Sequence, residues 1–136
     1  MPDPTLTVRH CVICDDVRLE VSNKETIVGV YTVGMTAPLL PWLATVCVWM
    51  PVIWGGDGDL DVEIRVVNPV NQQVGIVVGR GTSVWAGFES TLTFRGLSIS
   101  LDMEGFYSVE WRVAHGSWQR IRQFPIYLLR TPTTGS

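Results

Sequence analysis

Lysine and histidine are scarce in this chain, which holds one lysine, Lys24, and two histidines among 136 residues. Because histidine is the side chain that most readily exchanges protons near neutral pH, general acid–base chemistry has few groups to use here. Arginine carries nearly all the positive charge, and the formal net charge is −3. A nucleic-acid-binding protein normally presents a strongly basic face, so we expect no nucleic-acid partner.

Long apolar runs are also missing. No run reaches the ~18 residues that a membrane-spanning helix requires, and the longest, around residues 45–54, contains Pro51. The first four residues, Met-Pro-Asp-Pro, lack the basic and then apolar pattern of a signal peptide. We therefore expect no membrane partner and a cytoplasmic location.

The balance of residue types excludes a disordered chain, because hydrophobic residues make up 46% and charged residues only 17%. A length of 136 residues is typical of one domain. We expect a single domain over residues 1–130, followed by a flexible tail at residues 131–136.

Alternation of apolar and polar residues is the main structural signal. Leu60–Val66 and Tyr107–Val113 both alternate, which places one face of each strand on a core and the other in water. Gly96 lies where the alternation changes phase and predicts a bulge, while His115-Gly116 predicts a hairpin turn. No amphipathic helix is evident. The pattern predicts an all-β, antiparallel two-sheet β-sandwich, immunoglobulin-like or a similar Greek key, with about 7–9 strands. The predicted core residues are Leu60, Val62, Ile64, Val66, Tyr107, Val109, Trp111 and Val113.

Cys11 and Cys14 have the spacing of half a zinc knuckle or of a redox pair. A structural zinc site needs four ligands, and no second pair at similar spacing follows. Residues three apart on a strand also face opposite sides. With Cys47, these residues are expected to be reduced, buried thiols, with no metal and no cofactor bound.

Asp57 and Asp59 begin a stretch that looks like a calcium loop. An EF-hand loop requires glycine at its sixth position and glutamate at its twelfth, and counting from Asp57 these positions hold Val62 and Asn68. A turn followed by the polar face of a strand explains the stretch. Whether Asp57 and Asp59 bind a cation stays open.

Tryptophan is abundant, with six residues in the chain. Trp111 falls on the inward phase of its strand. A small sandwich core has little room for six indoles, so some should be exposed as interface residues or stacking platforms. The candidates for this role are Trp42, Trp49, Trp54, Trp85 and Trp118.

The segment Ile13-Cys14-Asp15-Asp16-Val17-Arg18-Leu19-Glu20, followed by Lys24 and by Gly29-Val30-Tyr31, resembles an uncharacterised family of small β-rich bacterial and phage proteins with an N-terminal I-C-D-D-x-R-x-E motif. The resemblance implies a β-rich fold and a bacterial or phage source, and thus the bacterial cytoplasm or, for a phage protein, the virion. It implies no catalytic residues, because the family has no known function.

The carboxylates of this motif allow two interpretations. Asp15, Asp16 and Glu20 could serve as acid and base in an enzyme. They could equally form a structural corner neutralised by Arg18 and Lys24, which we favour.

Three functions follow from these observations. The first is a non-enzymatic protein-interaction or assembly module, bound to a protein partner or to copies of itself, and in a phage a virion component. The strands at residues 26–33 and 44–52 support it, because they are apolar on both phases and one face of each needs cover. The second is a ligand- or carbohydrate-binding module that uses exposed tryptophans. The third, an enzyme that uses Asp15, Asp16 and Glu20, is the least favoured, since nucleophile and phosphate-binding motifs are missing.

Overall fold

The computed structural model describes residues 3–83 and 87–130, and these form ten strands with one short 3-10 turn at Val21–Asn23. The strands are β1 (Thr5–Val8), β2 (Val12–Leu19), β3 (Glu25–Val30), β4 (Met35–Ala37), β5 (Trp42–Gly55), β6 (Gly58–Val67), β7 (Gln73–Ser83), β8 (Glu89–Leu101), β9 (Gly105–Val113) and β10 (Gln119–Leu128). The predicted tail at residues 131–136 lies outside the described residues. None of the helical structure in the described ranges is long and apolar enough to cross a membrane.

The first sheet is organised around the long strand β5. Strand β8 pairs along one side of it, from Trp42 opposite Leu101 to Ile53 opposite Glu89. The other side of β5 is shared by β1 and β2, and β3 pairs with the far side of β2. All pairings in this sheet are antiparallel.

The second sheet has the order β4-β10-β9-β6-β7. Its pairings are antiparallel except that of β4 with β10, which is parallel. The two sheets pack against each other as a β-sandwich, which confirms the predicted fold class. The described residues form ten strands, more than the expected seven to nine, and this number includes the four-residue β1 and the three-residue β4.

The core lies between the sheets and contains most of the residues predicted for it. Val62, Ile64, Val66, Tyr107 and Val109 are fully buried, and Trp111 is nearly so. Leu60 and Val113 pack against this core but are partly exposed, because each lies near one end of its strand.

Two local predictions are confirmed. Gly96 has a φ of +71°, and the β5–β8 register shifts at this point, so β8 carries an extra residue there. His115, with a φ of +66°, turns the chain from β9 into β10.

The outer face of β5 is covered from within the chain. Cys47 and Trp49 point away from the main core and pack in a separate small cluster with Val17 and Ile27 of the β2–β3 hairpin. Glu25 of that hairpin accepts hydrogen bonds from Trp49 Nε1 at 3.3 Å and from Thr91 Oγ1 of β8 at 2.5 Å. The hairpin therefore provides much of the cover that was expected from another chain.

Candidate interaction surface

The first carboxylate of the predicted polar corner, Asp15, faces Gly29 on the neighbouring strand. A Cβ at Gly29 would collide with the Asp15 carboxylate, so the absence of a side chain at Gly29 provides the space for this carboxylate. Asp15 Oδ1 accepts a hydrogen bond from the Tyr31 hydroxyl at 2.7 Å. This hydrogen bond, with burial, raises the pKa of Tyr31 to about 12.

The second carboxylate, Asp16, has a different set of partners. Arg95 of β8 donates to it at 2.9 Å, and the backbone N–H of Val17 donates at 2.8 Å. Arg18 is more distant, at 3.7 Å, and its side chain is 65% exposed. Arg95, which was not among the predicted residues, is therefore the closest cation to Asp16.

The remaining members of the predicted corner do not join this cluster. The contact between Glu20 and Lys24 is a backbone hydrogen bond of 2.6 Å that closes the β2–β3 hairpin, and both residues are exposed. The carboxylates of Asp15 and Asp16 are bound to separate partners. Across residues 3–83 and 87–130, no group of three or more histidine, cysteine, aspartate or glutamate side chains is arranged to hold a metal ion.

Two aspartates of the acidic stretch that begins at Asp57 have protein partners. Asp59 accepts a hydrogen bond from Thr82 Oγ1 at 2.6 Å, and Asp61 pairs with Arg80 at 2.7 Å. This hydrogen bond from Arg80 holds the pKa of Asp61 below its usual value. The interpretation as a turn and a polar strand face explains these contacts.

The tryptophan candidates are scattered over the molecule. Trp42, 41% exposed, begins β5, and Trp49 is half-buried on the outer face of the first sheet. Trp54 was a candidate for exposure but is buried in the core, where its indole nitrogen donates to Ser90 at 3.0 Å. Trp85 lies outside the described residues.

Trp118 lies on the outer face of the second sheet, over a ladder of ion pairs. Glu63 pairs with Arg112 at 2.6 Å, and Arg65 pairs with Glu110 at 2.7 Å. Both guanidinium groups are 4.3 Å from the centre of the Trp118 ring. Each of these charged groups is paired with an opposite charge, and both guanidinium groups also contact the indole ring. This part of the face is therefore a polar surface whose charges are already paired within the chain.

A different part of the same face carries exposed aromatic side chains. Phe106 of β9 is 62% exposed and Tyr127 of β10 is 50% exposed. Pro125 is paired with Phe106 across the two strands, on the same outer side as Tyr127. These three residues, with Glu104 and Arg130, line an open groove of about 390 Å³, which we call the aromatic groove.

One edge of the aromatic groove is charged. Glu104 accepts hydrogen bonds from the backbone N–H of Leu128 at 2.7 Å and from Arg130 at 3.0 and 3.1 Å. The bond from Leu128, followed by that from Arg130, holds the pKa of Glu104 below its ordinary value. The groove thus combines apolar aromatic area with a fixed charged pair, the usual mixture at a binding surface.

The aromatic groove was not among the sites predicted from the sequence, although one signal was present. Phe106 stands on the outward phase of the alternation that begins at Tyr107. The contribution of β10 could not be predicted from the sequence, because the pairing of Pro125 with Phe106 depends on a strand register that includes a bulge between Arg120 and Arg122.

Neither the models of known protein families nor the curated proteins give a match to this chain.

Proposed function

We propose that this protein is a non-enzymatic interaction module that binds another protein chain at the aromatic groove. The observation that carries the proposal is the exposure of Phe106 and Tyr127 on neighbouring strands, with Pro125 opposite Phe106 and two residues before Tyr127. Large aromatic residues are enriched at the energetic centres of interfaces, where they bury much area at low entropic cost. Placement on paired strands supports this role, because the sheet holds the two rings at a fixed separation.

We also propose that the sandwich is of the immunoglobulin type. The pairing of β5 with β8 in one sheet, and the order β10-β9-β6 in the other, correspond to the B–E and G–F–C pairings of that fold. The hydrogen bonds of Tyr107 at the β8–β9 connection, where the chain crosses between sheets, further support the assignment. Such a fold serves many functions, so the functional proposal rests on the groove.

The partner is either a second copy of the chain or a different protein. A role in assembly, including assembly of a phage particle, agrees with the family resemblance of the N-terminal motif. Because the β2–β3 hairpin covers the outer face of β5, no partner is needed at Trp49. We therefore place the proposed binding surface at the aromatic groove.

Substitution of Phe106 by aspartate tests the proposal, with Leu43→Asp as the matched control. Leu43 is similarly exposed, at 67%, but lies on the first sheet. We expect Phe106→Asp to reduce association at least tenfold by sedimentation velocity, and Leu43→Asp to have little effect.

A photoreactive phenylalanine analogue at position 106 or 43 extends the test to a different partner. Cross-linking in cells of the source organism should give a discrete protein adduct from position 106 and none from position 43. A monomer that gives no adduct at position 106, or equal adducts at both positions, would contradict the proposal.

A second candidate function is binding of a small ligand such as a carbohydrate. The observation that favours it is the combination of aromatic rings with the Glu104–Arg130 pair in one groove, since sugars stack on rings and bond to charged groups. Titration with a panel of oligosaccharides, monitored by the amide NMR signals of Phe106 and Tyr127, separates the two functions. Saturable shifts at both residues, with no self-association, would favour the ligand.

A further inference from the structure

Two cysteines that are 33 residues apart in the sequence lie directly opposite each other in the fold. Cys14 of β2 and Cys47 of β5 are partners in the antiparallel register. Both point to the outer side of the first sheet and belong to the same small cluster with Val17. Directly opposed residues have Cβ atoms roughly 4.5–5.5 Å apart, close to the ~3.5–4.5 Å found across a disulfide.

The two thiols are free, and each one donates a hydrogen bond to the backbone of the other strand. Cys14 Sγ lies 3.7 Å from the Cys47 carbonyl oxygen, and Cys47 Sγ lies 3.6 Å from the Asp15 carbonyl oxygen. A rotation about the Cα–Cβ bond of each residue, with a small adjustment of the strands, would bring the sulfurs together. Cys11 has no such partner, because it packs in the main core on the other side of the sheet.

We propose that Cys14 and Cys47 form an oxidisable dithiol that closes into a cross-strand disulfide when the protein meets a peroxide. In the first step the Cys47 sulfur attacks hydrogen peroxide, which gives a sulfenic acid and releases one water. In the second step the Cys14 sulfur attacks the Cys47 sulfur, the S–S bond forms, and the sulfenic oxygen leaves as a second water with the thiol proton. Two thiols and one peroxide thus become one disulfide and two waters.

The burial of the two cysteines indicates which one reacts first with peroxide, and the pKa of Cys14 affects the rate of disulfide formation. Cys47 is 6% exposed and Cys14 is fully buried, so a small oxidant reaches Cys47 first. Burial, followed by the negative charges of its neighbours, raises the pKa of Cys14 to about 11, so its reactive thiolate form is rare at neutral pH. Oxidation is therefore slow and is promoted by opening of the β2–β3 hairpin, which packs over Cys47 through Val17 and Ile27.

Closure of the disulfide would join β2 to β5. The bond would tie the strand that carries Asp15 and Asp16 to the centre of the first sheet. Since a cross-link restricts the unfolded chain, the oxidised protein should melt about 5–15 °C higher than the reduced protein.

Peptide mapping of the wild-type protein tests the proposal in two arms. In one arm the folded protein is incubated with millimolar hydrogen peroxide, and in the other it is refolded from denaturant with oxidised glutathione. Free thiols are then alkylated in denaturant before digestion. We expect a peptide joined through Cys14 and Cys47, with Cys11 alkylated, and a higher melting temperature that dithiothreitol reverses.

Variants identify the source of the shift in melting temperature. Cys14→Ala and Cys47→Ala should each abolish the dithiothreitol-sensitive shift, whereas the control Cys11→Ala should retain it. Dithiothreitol does not reduce methionine sulfoxide, so reversal separates the disulfide from methionine oxidation. Alkylation of both Cys14 and Cys47 in both wild-type arms, or a bridge that contains Cys11, would overturn the proposal.

Discussion

The hydroxyl of Tyr107 accepts the backbone N–H of Asp102 and that of Met103, each at 3.1 Å, and so closes the connection between β8 and β9. Its proton has two acceptors within reach, the Met103 carbonyl oxygen at 2.7 Å and Asp102 Oδ1 at 2.9 Å. The other oxygen of Asp102 accepts from Asn68 at 3.0 Å, which links this connection to the turn after β6. One buried phenol therefore organises the point where the chain crosses between the sheets.

Tyr107→Phe should destabilise the fold by about 1–3 kcal/mol, because it leaves two backbone N–H groups without their acceptor in a partly buried setting. Urea denaturation followed by tryptophan fluorescence measures the change. Tyr127→Phe is the control, since Tyr127 is exposed. Equal stability of both variants and the wild type would show that water replaces the hydroxyl without cost.

Ile64→Ala and Val109→Ala should each lower the free energy of unfolding by about 2–4 kcal/mol, through lost burial and the cavity left behind. Both side chains are fully buried between the sheets. Chemical denaturation of the two variants checks this expectation. Losses below about 0.5 kcal/mol at both sites, the size of an ordinary surface substitution, would mean that the assigned strand faces are wrong.

Arg18→Ala should change stability by less than about 0.5 kcal/mol, because exposed ion pairs contribute little. The sequence analysis favoured Arg18 and Lys24 as the groups that neutralise this corner, whereas the structure shows Arg95 and the Val17 N–H in contact with Asp16. Asp16→Asn should cost more than Arg18→Ala, because it weakens two hydrogen bonds at once. Thermal melts of both variants give the comparison, and the reverse order would restore Arg18 as the main partner.

Glu104→Gln should destabilise the protein at pH 7 and have a smaller effect in acid. The pKa of Glu104 is held below its ordinary value of 4.5 by the Leu128 N–H and by Arg130. A lowered folded-state pKa contributes stability above the unfolded-state pKa, and this contribution is lost as the pH falls through the folded-state value. Melting temperatures of variant and wild type from pH 7 to pH 3 should therefore converge in acid. A constant difference across this range would contradict the assignment.

The alternation of apolar and polar side chains along the sequence by itself determined much about this protein. Four features could be predicted in this way: the strands around Ile64 and Val109, the bulge at Gly96 and the turn at His115. Each of them depends mainly on residues that are close together in the sequence. The choice of an all-β sandwich followed from the same local pattern.

The tertiary structure alone decided which residues meet. The exposure of Trp42 and the burial of Trp54, the contact of Asp16 with Arg95, and the cover of Trp49 by the β2–β3 hairpin all depend on pairings between distant strands. Periodicity tells which way a side chain faces but not which strand lies beside it, and a shift of one residue in register reverses every face. The aromatic groove and the opposition of Cys14 to Cys47 arise from register in this way, so the residues of both proposals come together only when the strands pair into sheets.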